Sequence, residues 1–177
     1  MCIRDRPIIG YEAYITTESR FDRPDRDKNK RFHLTLLAEN NEGYWNLVSL
    51  ASKAFTDGYY YKPRLDYQLL REHSKGLIAL SGCLGGEIAQ HLAPDGSVEE
   101  GNNQGERSYQ KALDKAVLYQ NIFGEENFYI ELHNHGIKQQ ELILPDLLKI
   151  SNEISACLLY TSPSPRDRTR SRMPSSA

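Results

Sequence analysis

The stretch SGCLGGEI, residues 81–88, sets Cys83 among three glycines directly after the apolar run LIAL. A strand running into a glycine-rich turn is where α/β proteins hold a nucleophile, a phosphate or a metal ligand. Three readings of Cys83 follow. As a small buried thiol it would only fill a tight turn. As a nucleophile it would sit in the elbow Ser81-Gly82-Cys83-Leu84-Gly85, with small residues two before and two after it. That role needs a base, and Glu131-Leu132-His133-Asn134-His135 offers one. On a strand, residues 131, 133 and 135 share a face, so a Cys–His–Glu set is geometrically feasible. As a thiolate it would be a metal ligand, joined by donors from other strands. Spacing alone does not choose among the three.

The elements that must position these residues alternate between strand and helix patterns. PIIGYEAYI (7–15) predicts a strand, followed by the charged loop SRFDRPDRDKNKR, and FHLTLLA (32–38) predicts a second strand. From Asn41, Tyr44, Leu47, Val48, Ala51, Ala54 and Phe55 recur at helical spacing, and Gly58 closes the helix. A short helix runs from the N-cap Asp66 to Gly76, followed by the strand GLIAL. Residues 94–105 form a polar loop. The next helix carries Tyr109, Leu113, Ala116, Val117 and Gln120 on one side and stops at Gly124. NFYIELH (127–133) predicts a strand, and the chain through Ile154 a helix in which Pro145 marks a kink or the true first turn. Strands separated by helices imply an α/β layer or barrel with a largely parallel sheet.

The 177 residues suit one domain, and 39% hydrophobic content can supply its core. The apolar runs are too short to span a bilayer, and no secretory pattern precedes them, so a membrane role is not expected. The net charge of −2 hides a split. Residues 157–177 form a Ser/Pro/Arg-rich run, and MCIRDR (1–6) is similarly odd, with IRDR nearly echoed by PRDR. Both ends read as adapter-like and non-native, and the later one as a disordered tail packing against nothing. They hold six of the 22 Lys and Arg and two of the 24 Asp and Glu, leaving 16 against 22, or −6, for residues 7–156. A span that acidic is a poor nucleic-acid surface by itself. Cys2 and Cys157 also fall in the ends. Cys83 then stands alone, with no disulfide framework, which suits a reducing cytoplasm.

RFHLTLLAENNEGYWNLVSLASKAF resembles the HLTLLAKNNEGYKNL stretch of bacterial DNA polymerase III α subunits, within their N-terminal PHP (polymerase and histidinol phosphatase) domain. The likeness continues in order through GYYYKPRLDYQLLREHSKGLIALSGCLGGEI and NFYIELHNHG, covering nearly all of residues 7–156. It implies a partial, distorted (β/α)7 barrel, with metals at the C-terminal ends of its strands. Carried over motif by motif, the acid of IIGYEAYI is Glu12, the histidine opening HLTLLA is His33, and the cysteine of SGCLGGE is Cys83. Oxygen, nitrogen and sulfur donors suit zinc and tolerate manganese or magnesium. The resemblance thus favours a ligand role for Cys83. It weighs against the elbow, as does the Gly85-Gly86 pair, a poor start for a helix. Glu131 and His135 match the family's LELQDHG, while His133 stands where glutamine is common, so His135 reads as a turn or bracing residue rather than a ligand. Tyr59, Tyr60 and Tyr61 could stack on bases, and Lys62 and Arg64 could meet phosphates; packing and a solvated loop are the plainer readings.

The function implied by the resemblance is that of a template-directed DNA polymerase, of which this chain would be a fragment. Its partners would be DNA and other replisome subunits, and its PHP domain a phosphoesterase-type module able to act as a 3′–5′ proofreading exonuclease. The alternatives are a metal-free scaffold bracing the polymerase, or a free-standing PHP phosphatase, which NNEGYWNL disfavours. Further family ligands, in a His-x-His and an Asp-x-His motif, are expected outside the matched stretch. The fragment alone is therefore expected to be inactive.

Overall fold

The computed structural model describes residues 7–25, 30–94 and 107–161. Residues 1–6 and 162–177, and most of the predicted 94–105 loop, lie outside them.

Among the described residues, six strands form one open sheet in the order β3-β1-β2-β4-β5-β6. They are β1 (Gly10–Ile15), β2 (Phe32–Ala38), β3 (Arg64–Leu65), β4 (Leu77–Leu80), β5 (Phe128–His133) and β6 (Cys157–Thr161). The helices are α1 (Asn41–Thr56), α2 (Tyr67–Glu72), α3 (Glu87–Leu92), α4 (Tyr109–Phe123) and α5 (Lys138–Glu153). This is the predicted α/β architecture, and the unclosed sheet is that of a partial barrel. The sheet is mixed rather than largely parallel. β1 pairs with β2, and β2 with β4, in antiparallel fashion, while the other three pairings are parallel. Among the described residues no helix intervenes between β1 and β2, and β2 lies antiparallel to the strand before it.

Alternation along β1 and β2 explains why this pair builds a site. Ala13 and Ile15 of β1, with Phe32, Leu34 and Leu36 of β2, are buried in the core. The intervening residues point the other way, and the register sets Glu12 opposite Thr35 and Tyr14 opposite His33. A strand with one apolar face thereby presents a carboxylate and an imidazole on its opposite, more open face.

Local capping chemistry fixes several helix ends. Asn40, Asp66 and Ser108 each accept an N-terminal backbone N–H of α1, α2 and α4. Gly124 ends α4 with φ of +93°. The helix faces differ from those expected. In α1 the buried seam is Gly43, Leu47, Leu50 and Ala54, and Tyr44, Val48 and Phe55 are exposed. Gly43 decides this rotation: a Cβ there would stand 1.7 Å from the carbonyl oxygen of Gly76, so the helix lies backbone against backbone at that point. In α4 the buried set is Ala112, Ala116, Tyr119, Ile122 and Phe123, and Val117 faces out. Pro145 is neither the first turn nor a boundary, for α5 begins at Lys138 and runs past it.

Two further expectations are corrected. A helix, α3, does start immediately after Gly85-Gly86, with Gly86 as an N-cap that offers no side-chain hydrogen bond. The first residues of the segment expected to pack against nothing form β6, paired with β5 from Tyr129↔Cys157 to His133↔Thr161. Leu158, Leu159 and Tyr160 nevertheless stay exposed rather than entering the core.

Candidate functional site

The sequence-predicted ligands Glu12, His33 and Cys83 come together on the open face of the sheet. Oε1 of Glu12 lies 2.8 Å from Nδ1 of His33, and Sγ of Cys83 lies 3.7 Å from the same nitrogen. Glu12 arrives diagonally across the β1–β2 pair, and Cys83 from the turn after β4. His33 opens its strand, yet the turn reaches back to it. Its backbone N–H donates to the carbonyl of Gly85, and His33 forms an isolated parallel bridge with Gly86. The ring of Tyr14 meets the imidazole edge-on, with centroids 5.2 Å apart.

Several neighbours act on the ionisation of the Cys83 thiol. The hydrogen bond to His33 presses its pKa below the usual thiol value, against the opposing effect of burial, and the Gly85 N–H at 3.4 Å adds to the lowering. Glu12, a nearby negative charge, works in the other direction.

Cys83 also lines a narrow cleft with Ser81, Glu131, His133, Gln140 and Leu147. Here the other sequence candidates gather. Nε2 of His133 lies 3.2 Å from Oε1 of the buried Glu131, and this close carboxylate raises the His133 pKa although burial opposes it. His135 lies in the exposed turn after β5, with its ring centroid 5.5 Å from that of His133 and its N–H held by Oε1 of Gln140. The structure thus makes two groups: Glu12–His33–Cys83, and Glu131–His133 with His135 beside it. Cys83 makes a hydrogen-bond contact with His33 and also acts electrostatically on His133 across the cleft.

Sequence reasoning missed the residues that fix the cysteine turn. Gln90 Nε2 donates to the Leu84 carbonyl at 2.6 Å. Ser81 Oγ accepts the Glu131 N–H at 2.9 Å, tying the turn to β5. Behind the turn, Glu87 is 1% exposed and accepts hydrogen bonds from the hydroxyls of Tyr67 and Tyr119, with Nζ of Lys115 at 2.8 Å. Burial, then the Glu87 charge, pushes both tyrosine pKa values well up, so the hydroxyls stay donors. The one sequence signal was an acid inside an otherwise small and apolar segment.

In kind, a carboxylate oxygen, an imidazole nitrogen and a thiolate sulfur fit a zinc-type divalent ion. In arrangement, Glu12 and Cys83 approach the same nitrogen of His33, and among the described residues no group of three or more His, Cys, Asp or Glu is set to hold an ion. No described helix is long and apolar enough to cross a membrane.

A mixed α/β sheet of partial-barrel form, with this donor set at the β1–β2 and β4 ends, belongs to the PHP domain family, whose model matches residues 3–135. The match begins inside the segment that the sequence set aside as adapter-like. Among curated proteins, the chain is 43% identical over 157 residues to the DNA polymerase III subunit alpha of Helicobacter pylori strain J99, covering 89% of this chain and 13% of that protein. It is 48% identical over 164 residues to the subunit of the same name from Thermus aquaticus, covering 89% and 12%. For the Deinococcus radiodurans protein the figures are 41% over 162 residues, 89% and 11%. The chain therefore spans about an eighth of the length of the curated relatives it matches.

Proposed function

We propose that the chain is the metal-binding PHP module of a bacterial DNA polymerase III α subunit, with Glu12, His33 and Cys83 as ligands. The observation that carries this reading is the meeting of these three side chains, from β1, β2 and the turn after β4, at one imidazole nitrogen. The ion would be divalent, zinc before manganese or magnesium, because thiolate and imidazole donors favour it. Such an ion, when bound, lowers the pKa of a water and neutralises phosphate oxygens. The chain's own residues hold the ligands in place: Tyr14 and the Gly85 turn brace His33, and Gln90 and Ser81 brace the Cys83 turn. The parent would be the template-directed polymerase itself, cytoplasmic, working on DNA with other replisome subunits. A 3′–5′ exonuclease is the reaction that this module would contribute.

A second reading, a metal-free scaffold bracing the polymerase, draws support from one observation. Nδ1 of His33 is already engaged by Glu12 and Cys83, and the described donors do not form a ready metal cage. Cobalt(II) titration of the chain separates the two. A metal-bound reading expects a thiolate-to-cobalt absorption band that Cys83→Ala removes and Glu12→Gln weakens. A spectrum without that band at saturating cobalt would leave the scaffold.

A further inference from the structure

We propose that the turn Tyr59–Lys62 is a seat for a single-stranded polynucleotide, in which Tyr61 stacks on a base and Lys62 holds a backbone phosphate. The proposal rests on the reading of the neighbouring face as one that handles phosphodiesters, but it needs no metal.

The middle tyrosine of the three is the anchor. The Tyr60 hydroxyl donates to the Pro24 carbonyl at 2.9 Å, and its ring lies 5.5 Å from the Arg23 guanidinium and 5.2 Å from that of Arg64. Its backbone N–H donates to the Lys62 carbonyl, which closes a tight turn with Tyr61 at the apex. Tyr61 has φ of +61°, a left-handed conformation that a bulky L-residue rarely adopts, and its side chain is 58% exposed. The Tyr61 ring meets that of Tyr60 edge-on, with centroids 4.6 Å apart, and the rest of it stays open to solvent despite the strained backbone. Strain of that kind collects where a side chain must be presented.

The corner mixes cations with carboxylates: Asp22 acts on the fully buried Arg64 and Asp25 on Tyr60, while the exposed Lys62 is the cation offered to an anionic strand. Arg23 donates to the carbonyls of Arg20, Asp22 and Asp57, and Arg64 to those of Gly58, Arg20 and Asp22. Burial first, and then the charges of Arg23 and Arg31, lower the Arg64 pKa, with Asp22 opposing them.

Position joins this turn to the candidate site. Nζ of the exposed Lys62 lies 5.5 Å from the centroid of the Tyr14 ring, and that same ring packs edge-on against His33. Cation, ring and imidazole are successive neighbours. A phosphate at Lys62 would therefore lie next to the face that carries Glu12, His33 and Cys83. A duplex keeps its base faces stacked, so the exposed ring selects a single strand.

The test is fluorescence anisotropy of a labelled oligothymidylate with the full chain, in chelator, so that neither hydrolysis nor a bridging ion enters the readout. Tyr61→Gly, which relieves the left-handed strain, is expected to weaken binding about five-fold or more. Lys62→Ala should lower the slope of log K against log salt by about 0.7, the share of one single-strand phosphate, and Lys62→Arg should restore it. The arginines of residues 162–177 contribute equally to every variant, so only the differences count. Lys62 is a surface side chain, so its variants carry the test even if Tyr61→Gly shifts the thermal melt. Affinity and salt slope unchanged in both Tyr61→Gly and Lys62→Ala would overturn the proposal, whether the turn serves a protein partner or none. Dependence on these residues without a cobalt band would uphold this proposal and sink the metal reading. A cobalt band without such dependence would do the reverse.

Discussion

Sγ of Cys83 stands 3.7 Å from Nδ1 of His33, fifty positions earlier in the chain, and the backbone between the two holds them there. The His33 N–H binds the Gly85 carbonyl. A Cβ at Gly82 would come within 3.1 Å of the His33 carbonyl oxygen, and one at Gly85 within 3.0 Å of Nδ1 itself. A Cβ would therefore be crowded at both positions, and at Gly82 the φ of +82° favours glycine as well. The glycines around Cys83 let the turn lie against a histidine on another strand.

That contact predicts thiol reactivity. In a background where Cys2 and Cys157 are serine, Cys83 should react with iodoacetamide at neutral pH faster than an ordinary thiol of its exposure. The hydrogen bond from His33 favours the thiolate. His33→Ala removes the largest lowering influence and leaves burial, which raises the pKa, so the midpoint of the pH–rate profile should move upward. An unmoved midpoint would show that the contact is not felt in solution.

Gly85→Ala should act on the same pair from the other side. Its methyl group would press on Nδ1, Cε1 and Cγ of His33, all within 3.2 Å, and the ring must give way. We expect a loss of about 1–3 kcal/mol in stability, together with slower Cys83 alkylation. Urea unfolding and alkylation measured on one preparation check both. Retained reactivity would mean that the ring has room to yield without leaving the thiol.

Behind the turn, the buried Glu87 should be costly to remove. Glu87→Ala removes the carboxylate shared by Lys115 and two tyrosine hydroxyls, leaving Lys115 its bond to the Tyr67 hydroxyl, and loss of a partner from a buried ion pair costs up to about 3–5 kcal/mol. Tyr119→Phe deletes one hydrogen bond to the carboxylate, expected at about 1.5–3 kcal/mol. Equal destabilisation by the two variants would argue against the carboxylate as the centre of the network.

Histidines should give the pH dependence of stability two opposing parts. Burial lowers the pKa of His91 and of His73 in the fold, so the unfolded chain takes up more protons as pH falls below about 6.5, and stability drops there. Glu131 raises that of His133, so its contribution is fully present below about 6.5 and is lost as pH rises through the folded value. His91→Gln should therefore flatten the acid-side loss of stability, and His133→Gln should steepen it. Urea midpoints from pH 8 to pH 5 would show whether the two variants diverge in these directions.

The amino-acid sequence determined much of this local structure by itself, because its signals were local. Alternation of period 2 marked β2 at residues 32–38, the bounds that the fold shows. Asp66 and Gly124 marked helix ends through capping and left-handed chemistry that involve only neighbouring residues. Family motifs pointed to Glu12, His33 and Cys83, whose convergence no spacing could have predicted. The tertiary structure decided what depends on distant partners. The buried face of α1 was set by the approach of Gly43 to Gly76, and that of α4 by the reach of Tyr119 to Glu87, neither of which a hydrophobic period encodes. The antiparallel place of β2 followed from which strand it met, and β6 joined the sheet through backbone pairing with β5. Every non-proline residue carries the N–H and C=O groups that make such a ladder. An edge strand can therefore form from a segment whose side chains bury little and announce nothing.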